Sequence, residues 1–222
     1  VTETSFYNPE ISAKTLTLGT RLKLARKDKV ASTIDGRGDW HNYVVYLPTR
    51  TADGQYEKKL ALISEHNKVN VGYLPFTEKN ILELAYECLG NRYGWGGSLD
   101  ALDCSLYVCR IYSCFGLSLP RNTTWQQKIP GCTDISAKTE EEKAALIEKA
   151  HLGSVLYFQG HEMIYLGSYQ GRVYVISALG SLVDVGDAAK RNVFSVAINT
   201  LDAKRANGKT WLACLTGINT LE

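Results

Sequence analysis

The sequence predicts an α+β protein in two parts: a small β-barrel, then helices packed on an antiparallel sheet. Three observations predict it. Residues 15–75 carry short, partly alternating apolar runs parted by turn residues. At Pro75 the apolar period changes to that of amphipathic helices, and after residue 151 the alternation returns. Helices followed by strands within one stretch is the pattern of an α+β domain rather than of alternating β-α-β units.

Taken in order, residues 1–14 show no periodicity and read as an arm. The first part, 15–75, holds the strand candidates "TRLKLA", "WHNYVVYLP", "EKKLALI" and "VNVGYLP", with "DGRGD" and "TADGQ" as turns. Several short strands at this spacing suggest a barrel. The second part, 76–222, opens with Thr77 as a helix N-cap. Ile81, Leu84, Ala85 and Cys88 then fall on one helical face, and Gly90 stops the helix. A second helix begins near Cys104 and carries Leu106, Val108, Cys109, Ile111 and Tyr112 until "FGLSLP" ends it. A third occupies 139–151, where Thr139 and Glu142 form a capping box ahead of Leu146 and Ile147. "SVLYFQ", "EMIYLG", "RVYVISA" and "VFSVAIN" are the strands of the sheet.

Composition narrows the function classes. A formal net charge of +2 gives no argument for a nucleic-acid partner. No apolar run approaches the roughly 20 residues that span a bilayer. The chain begins "VTETSFYNPE", without a leader pattern, so a targeting segment is expected to have been removed or never to have belonged to it. Six cysteines in 222 residues are too sparse for a disulfide scaffold. Cys104, Cys109 and Cys114 recur every five residues, about 140° apart on a helix, and no C-x-x-C pair exists, so no metal is expected.

The chemistry gathers in "YGWGGSLDALDCS", residues 93–105. A cysteine at a helix start lies near exposed backbone N–H groups. Those favour a thiolate and stand ready to hold an oxyanion. Glycines just before it let the chain turn sharply and a substrate approach closely. Of the four histidines, His41 lies in the β part, His66 in a polar loop and His151 at a helix end. His161 opens an apolar strand directly after Gly160, a position from which a ring projects from a sheet edge toward a helix N-terminus.

"YGWGG", then "DCS", then "LPRNTTWQ", then a Gly-His opening a strand resembles the NlpC-type cell-wall cysteine peptidases, over residues 77 to about 180. The residues before them resemble a bacterial SH3-like barrel. The resemblance implies a papain-like catalytic domain with Cys104 as nucleophile and His161 as general base. It places Tyr93, Trp95, Asp103 and Ser105 at the substrate, with Asp103 meeting a free amino group. Arg121 and Trp125 match a motif beside the site and are read as structural. Two residues depart from the family's pattern: Leu106 stands where a small residue is usual and is expected to crowd the helix start. Ser177 occupies a third catalytic position usually held by His, Asn or Gln, where its hydroxyl is expected to orient the His161 ring.

The implied activity is hydrolysis of peptidoglycan stem peptides, at the bond between D-glutamate and the diamino acid, through a thioester acyl-enzyme. Two alternatives stand beside it: a wall-binding protein whose peptidase domain is weakened or silent, and a papain-like amidase or acyltransferase acting on another amide. The expected partners are stem peptides or muropeptides, with no cofactor, no nucleic acid and no membrane span, in a monomer. The expected place is the cell wall or outside the cell, or the cytoplasm if the role is recycling of wall fragments.

Overall fold

A computed structural model describes residues 15–221; the expected arm, 1–14, lies outside the described residues. The chain divides into two compact units between Tyr73 and Leu74.

In the first unit, β1 (Lys23–Leu24), β4 (Asn42–Arg50) and β5 (Tyr56–Ser64) form one antiparallel sheet in the order β1-β4-β5. β2 (Thr33–Ile34) and β3 (Arg37–Gly38) form a separate hairpin. Its turn is Asp35-Gly36, both at positive φ, as a two-residue hairpin connection requires. Along β4 and β5 alternate residues serve two small cores. Val45, Leu47, Ala61 and Ile63 fill one, and Val44 and Leu62 join Ala25 and Ile34 in the other. The strand expected at 69–75 does not form. The Asn70 side-chain amide donates to the carbonyls of Val71 and Gly72, offering the backbone a local partner in place of a ladder.

The second unit contains α1 (Glu78–Glu87), α2 (Cys104–Ser113), α3 (Thr123–Gln126) and α4 (Glu140–Ile147) before the long strands, and α5 (Trp211–Cys214) after them. Its sheet comprises β6 (Thr133–Asp134), β7 (Val155–Phe158), β8 (His161–Tyr169), β9 (Arg172–Leu182), β10 (Arg191–Thr200) and β11 (Leu215–Asn219), antiparallel throughout in the order β10-β9-β8-β7-β11-β6. The α+β architecture expected from the sequence is present.

Local chemistry sets the helix ends. Thr77 caps α1 by accepting from the Asn80 N–H, and Thr139 with Glu142 makes the reciprocal capping box of α4. α2 packs on β8 and β9 through Tyr107, Val108, Ile111 and Tyr112, all fully buried. Burying a Val or Ile side chain is worth about 1.5–3 kcal/mol. That exceeds the ≲0.7 kcal/mol that β-branching costs a helix, so packing decides. A further core contains Met163, Tyr165, Val175, Leu179 and Trp211, and Ile164 and Ile176 alternate with them in the strands. A helix N-terminus therefore lies against the middle strands of a sheet.

Candidate active site

The loop from α1 to α2 is tied down before it reaches the cysteine. The Gly90 N–H donates to Val196 O at 2.9 Å, the Val196 N–H to Asn91 O at 2.8 Å, and the Tyr93 N–H to Phe194 O at 2.9 Å, all along β10. The chain then turns through Gly96 and Gly97 at positive φ, and the Gly94 N–H returns to Leu102 O at 3.0 Å. A Cβ at Gly97 would meet Leu106 Cδ2 at 2.7 Å. The bare glycine accommodates the leucine expected to crowd the helix start.

Asp103 is the N-cap of α2. Its Oδ1 accepts from the Leu106 N–H at 2.8 Å, from Arg121 Nη1 at 3.0 Å and from the Ser105 hydroxyl at 3.2 Å; Oδ2 accepts from Arg121 Nη2 at 2.7 Å. Arg121 also donates to Ser105 Oγ at 2.9 Å. Burial alone would raise the Asp103 carboxyl, but the Arg121 fork, the Leu106 N–H and Ser105 together hold it below the usual carboxylate range. The arginine of "LPR" thus locks the residue before the cysteine in place.

Cys104 is 9% exposed. Its sulfur lies 3.8 Å from Thr123 Oγ1 and accepts from the backbone N–H of Glu162, the residue next to His161. Burial first, then the Glu162 carboxyl, push the thiol from 9.0 to about 11; Thr123 and the Glu162 N–H oppose this, and Asp103 adds to it. That overturns the expectation of an acidified thiol. A rise of this size is on the order of 3 kcal/mol against the thiolate. A helix N-terminus returns about 0.3–1 kcal/mol, at most ~2, so burial and the nearby carboxyl win.

His161 begins β8, and its Nε2 is 3.0 Å from Ser177 Oγ, itself fully buried in β9. The ring packs against Phe158 and Trp211 with centroids 5.2 and 5.3 Å away. Burial and then the charge of Arg205 push it down to about 4, so at neutral pH the imidazole is uncharged. Among the described residues no hydrogen bond joins it to Cys104.

The sequence-predicted residues thus fall into three sets. Tyr93, Asp103, Cys104 and Ser105 come together, with burial followed by the charges of Cys104 and Asp103 raising the Tyr93 phenol. His161 and Ser177 form a second pair on the sheet. Trp95, 82% exposed in the glycine loop, stands apart. Two close neighbours of the sulfur, Thr123 and Glu162, had not been singled out from the sequence. The signal for Glu162 was a charged residue inside the apolar run "HEMIYLG". None of the six cysteines is in a disulfide, and among the described residues no group of His, Cys, Asp and Glu is placed to hold a metal ion.

Comparison with known proteins adds the family. The NlpC/P60 family model matches residues 90–209, more than half of the chain. No protein of curated function matches. Among solved structures, an NlpC/P60 endopeptidase from Photobacterium damselae subsp. piscicida is 19% identical with a TM-score of 0.63, covering 79% of this chain and 45% of its own. An NlpC/P60 family protein from Bacillus cereus ATCC 10987 is 19% identical with a TM-score of 0.48, covering 90% of this chain and 53% of its own. The chain therefore spans about half the length of these structures. The glycine loop, the Asp103–Cys104 helix start, His161 and Ser177 all lie within the matched residues. The chain belongs to the NlpC/P60 family.

Proposed function

We propose that this chain is a cysteine peptidase of the cell wall that cleaves peptidoglycan stem peptides at the bond between D-glutamate and the diamino acid. The observation that carries the reading is the juxtaposition of a cysteine at a helix start with a strand opening on an uncharged, Ser177-bonded histidine. The sulfur is held by the backbone N–H one residue beyond that histidine.

The steps follow from the groups present. We assign the Nε2–H of His161 as the donor to Ser177 Oγ, which leaves the Nδ1 lone pair to act as base. The His161 ring packs with Phe158 and Trp211 on the face of β8 opposite Glu162, so catalysis requires the start of β8 to turn the ring toward Cys104. The ring then takes the thiol proton, and the sulfur attacks the scissile carbonyl carbon. Leu106 and Tyr107 already give their N–H groups to Asp103 Oδ1 and Asp103 O. The Cys104 and Ser105 N–H groups are the donors we assign to the oxyanion. The imidazolium returns its proton to the leaving amine, and a water activated by the neutral ring hydrolyses the thioester. Tyr93 and the ionised Asp103 face the substrate's amino end, and Trp95 offers an exposed ring at the loop. Work at the wall, outside the cell, follows from such a substrate.

A second reading, a wall-binding protein with a silent site, is favoured by the raised Cys104 thiol and by the absence of a bond to His161. Purified muropeptides incubated with the chain and analysed by mass decide between them. Cleavage between D-glutamate and the diamino acid is expected, lost by at least about 10³-fold in Cys104→Ala. Cleavage that survives this substitution removes Cys104 as nucleophile; no cleavage by the parent chain favours the silent site.

A further inference from the structure

The titratable group beside the thiol that the mechanism leaves unused is Glu162. Its side chain is fully buried, and neither carboxyl oxygen has a hydrogen-bond partner. Thr123 lies close enough to polarise it, without a bond of normal geometry. Consecutive strand residues point to opposite faces, so His161 packs on Phe158 and Trp211 while Glu162 pairs in register with Tyr157. The Tyr157 hydroxyl and Gln126 Oε1 are likewise buried without partners, and the Gln126 amide donates to Cys109 Sγ at 3.3 Å. Unmatched polar atoms of Glu162, Gln126 and Tyr157 thus gather beside Cys109, on the sheet side of α2.

We propose that Glu162 is a positioning residue that gates the Cys104 thiol, so that ionisation of its carboxyl opposes the thiolate and sets an alkaline limit on the reaction. The proposal rests on Cys104 as nucleophile. It stands on placement: the Glu162 N–H holds the sulfur, and the charge of the same residue acts on both Cys104 and Cys109. The groups facing Glu162 are Asp103 and Cys104 at the start of α2, Cys109 one turn on, Arg121 in the following loop, Thr123 on α3 and Tyr157 on β7. Burial first, with Asp103 adding to it and Thr123 and Arg121 opposing, pushes the carboxyl up to about 8. Below that pH it is neutral and leaves the thiolate unopposed. Above it, two negative charges would share one buried site, which is disfavoured. The proton gained or lost exchanges with solvent and no co-reactant is needed.

The test follows the thiol rather than hydrolysis. The full chain is treated with iodoacetamide from pH 6 to 10, and alkylation of the Cys104 peptide is followed by mass spectrometry. The Glu162→Gln profile is expected about one pH unit below that of the parent chain, with about tenfold faster labelling near pH 8. Glu162→Asp, which keeps a carboxyl, is expected to track the parent. Coincident parent and Gln profiles, a Gln profile moved upward, or a Cys104 that resists labelling in folded protein overturns the proposal. Failure of the nucleophile assignment shows instead as muropeptide cleavage surviving Cys104→Ala, which alkylation does not read.

Discussion

Two carboxyls flank the same cysteine, and their states are opposite. Asp103, on the helix side, accepts from the Arg121 fork, the Leu106 N–H and Ser105, and stays ionised below the usual range. Glu162, on the sheet side, has no bonded partner and is raised to about 8. Burial opposes ionisation in both. Partners and depth separate them: a forked guanidinium and a backbone N–H stabilise one charge, while the other is buried more deeply with only Thr123 and the Arg121 charge to oppose burial. A buried acid's state at this site is therefore read from its hydrogen-bond partners as well as its depth.

Removing the partner from the first acid is expected to have the largest effect on stability. Arg121→Ala leaves the Asp103 carboxylate without its fork at the start of α2. Breaking a fully buried ion pair costs roughly 3–5 kcal/mol, but the Arg121 side chain is 45% exposed, so about 2–3 kcal/mol is expected. In a chain of this size that is roughly 4–10 °C in Tm. Thermal unfolding measures it, and a change within about 1 °C would show that water replaces the guanidinium without cost.

Neutralising the second acid is expected to act in the opposite direction, increasingly as pH rises. Glu162 is raised from 4.5 to about 8 in the folded chain, so between those values the folded state holds a proton that the unfolded state has lost. Its contribution therefore declines as pH rises through that window. Glu162→Gln removes the dependence. The variant is expected to lie close to the parent near pH 5, and its Tm advantage is expected to widen steadily from there and level off above about pH 8. His161, pushed down to about 4, has the opposite slope in its own window but is common to both proteins and cancels. Equal Tm differences at the two pH values would show that the carboxyl does not titrate in the folded chain.

The two acids also differ in how far the sequence revealed them. Thr77 and Thr139 were legible as caps because a cap's role is local; Asp103 caps α2 in the same local way, yet it was placed only by the family resemblance, as a substrate residue. Glu162 was not placed at all, because its state depends on α2, α3 and β7, which meet it only in the folded chain. The thiol's acidity was misjudged on the same ground. The helix N-terminus is local, whereas the burial and the carboxyl that outweigh it are not. β11 illustrates the point in the fold itself. "LTGIN" carries a glycine in mid-strand, normally a sign against a strand, yet a Cβ at Gly217 would meet Cys132 Sγ and Gln127 Nε2 at 3.1 Å. The glycine is there for close packing across the sheet.

The smallest expected effect sharpens the comparison most. If partners rather than proximity set each acid's influence, the two should act unequally on the thiol between them. Asp103→Asn keeps a capping oxygen for the Leu106 N–H, since Asn caps as well as Asp, and removes only the charge. That charge is already matched by Arg121, and its part in raising Cys104 ranks below those of burial and Glu162. The guanidinium left behind is half exposed, so water screens it. Asp103→Asn is therefore expected to move the Cys104 alkylation profile by less than about half a pH unit, against about one unit for Glu162→Gln. A shift in Asp103→Asn as large as that in Glu162→Gln would mean that the Arg121 fork does not shield the sulfur, and that both acids act on the thiol by proximity alone.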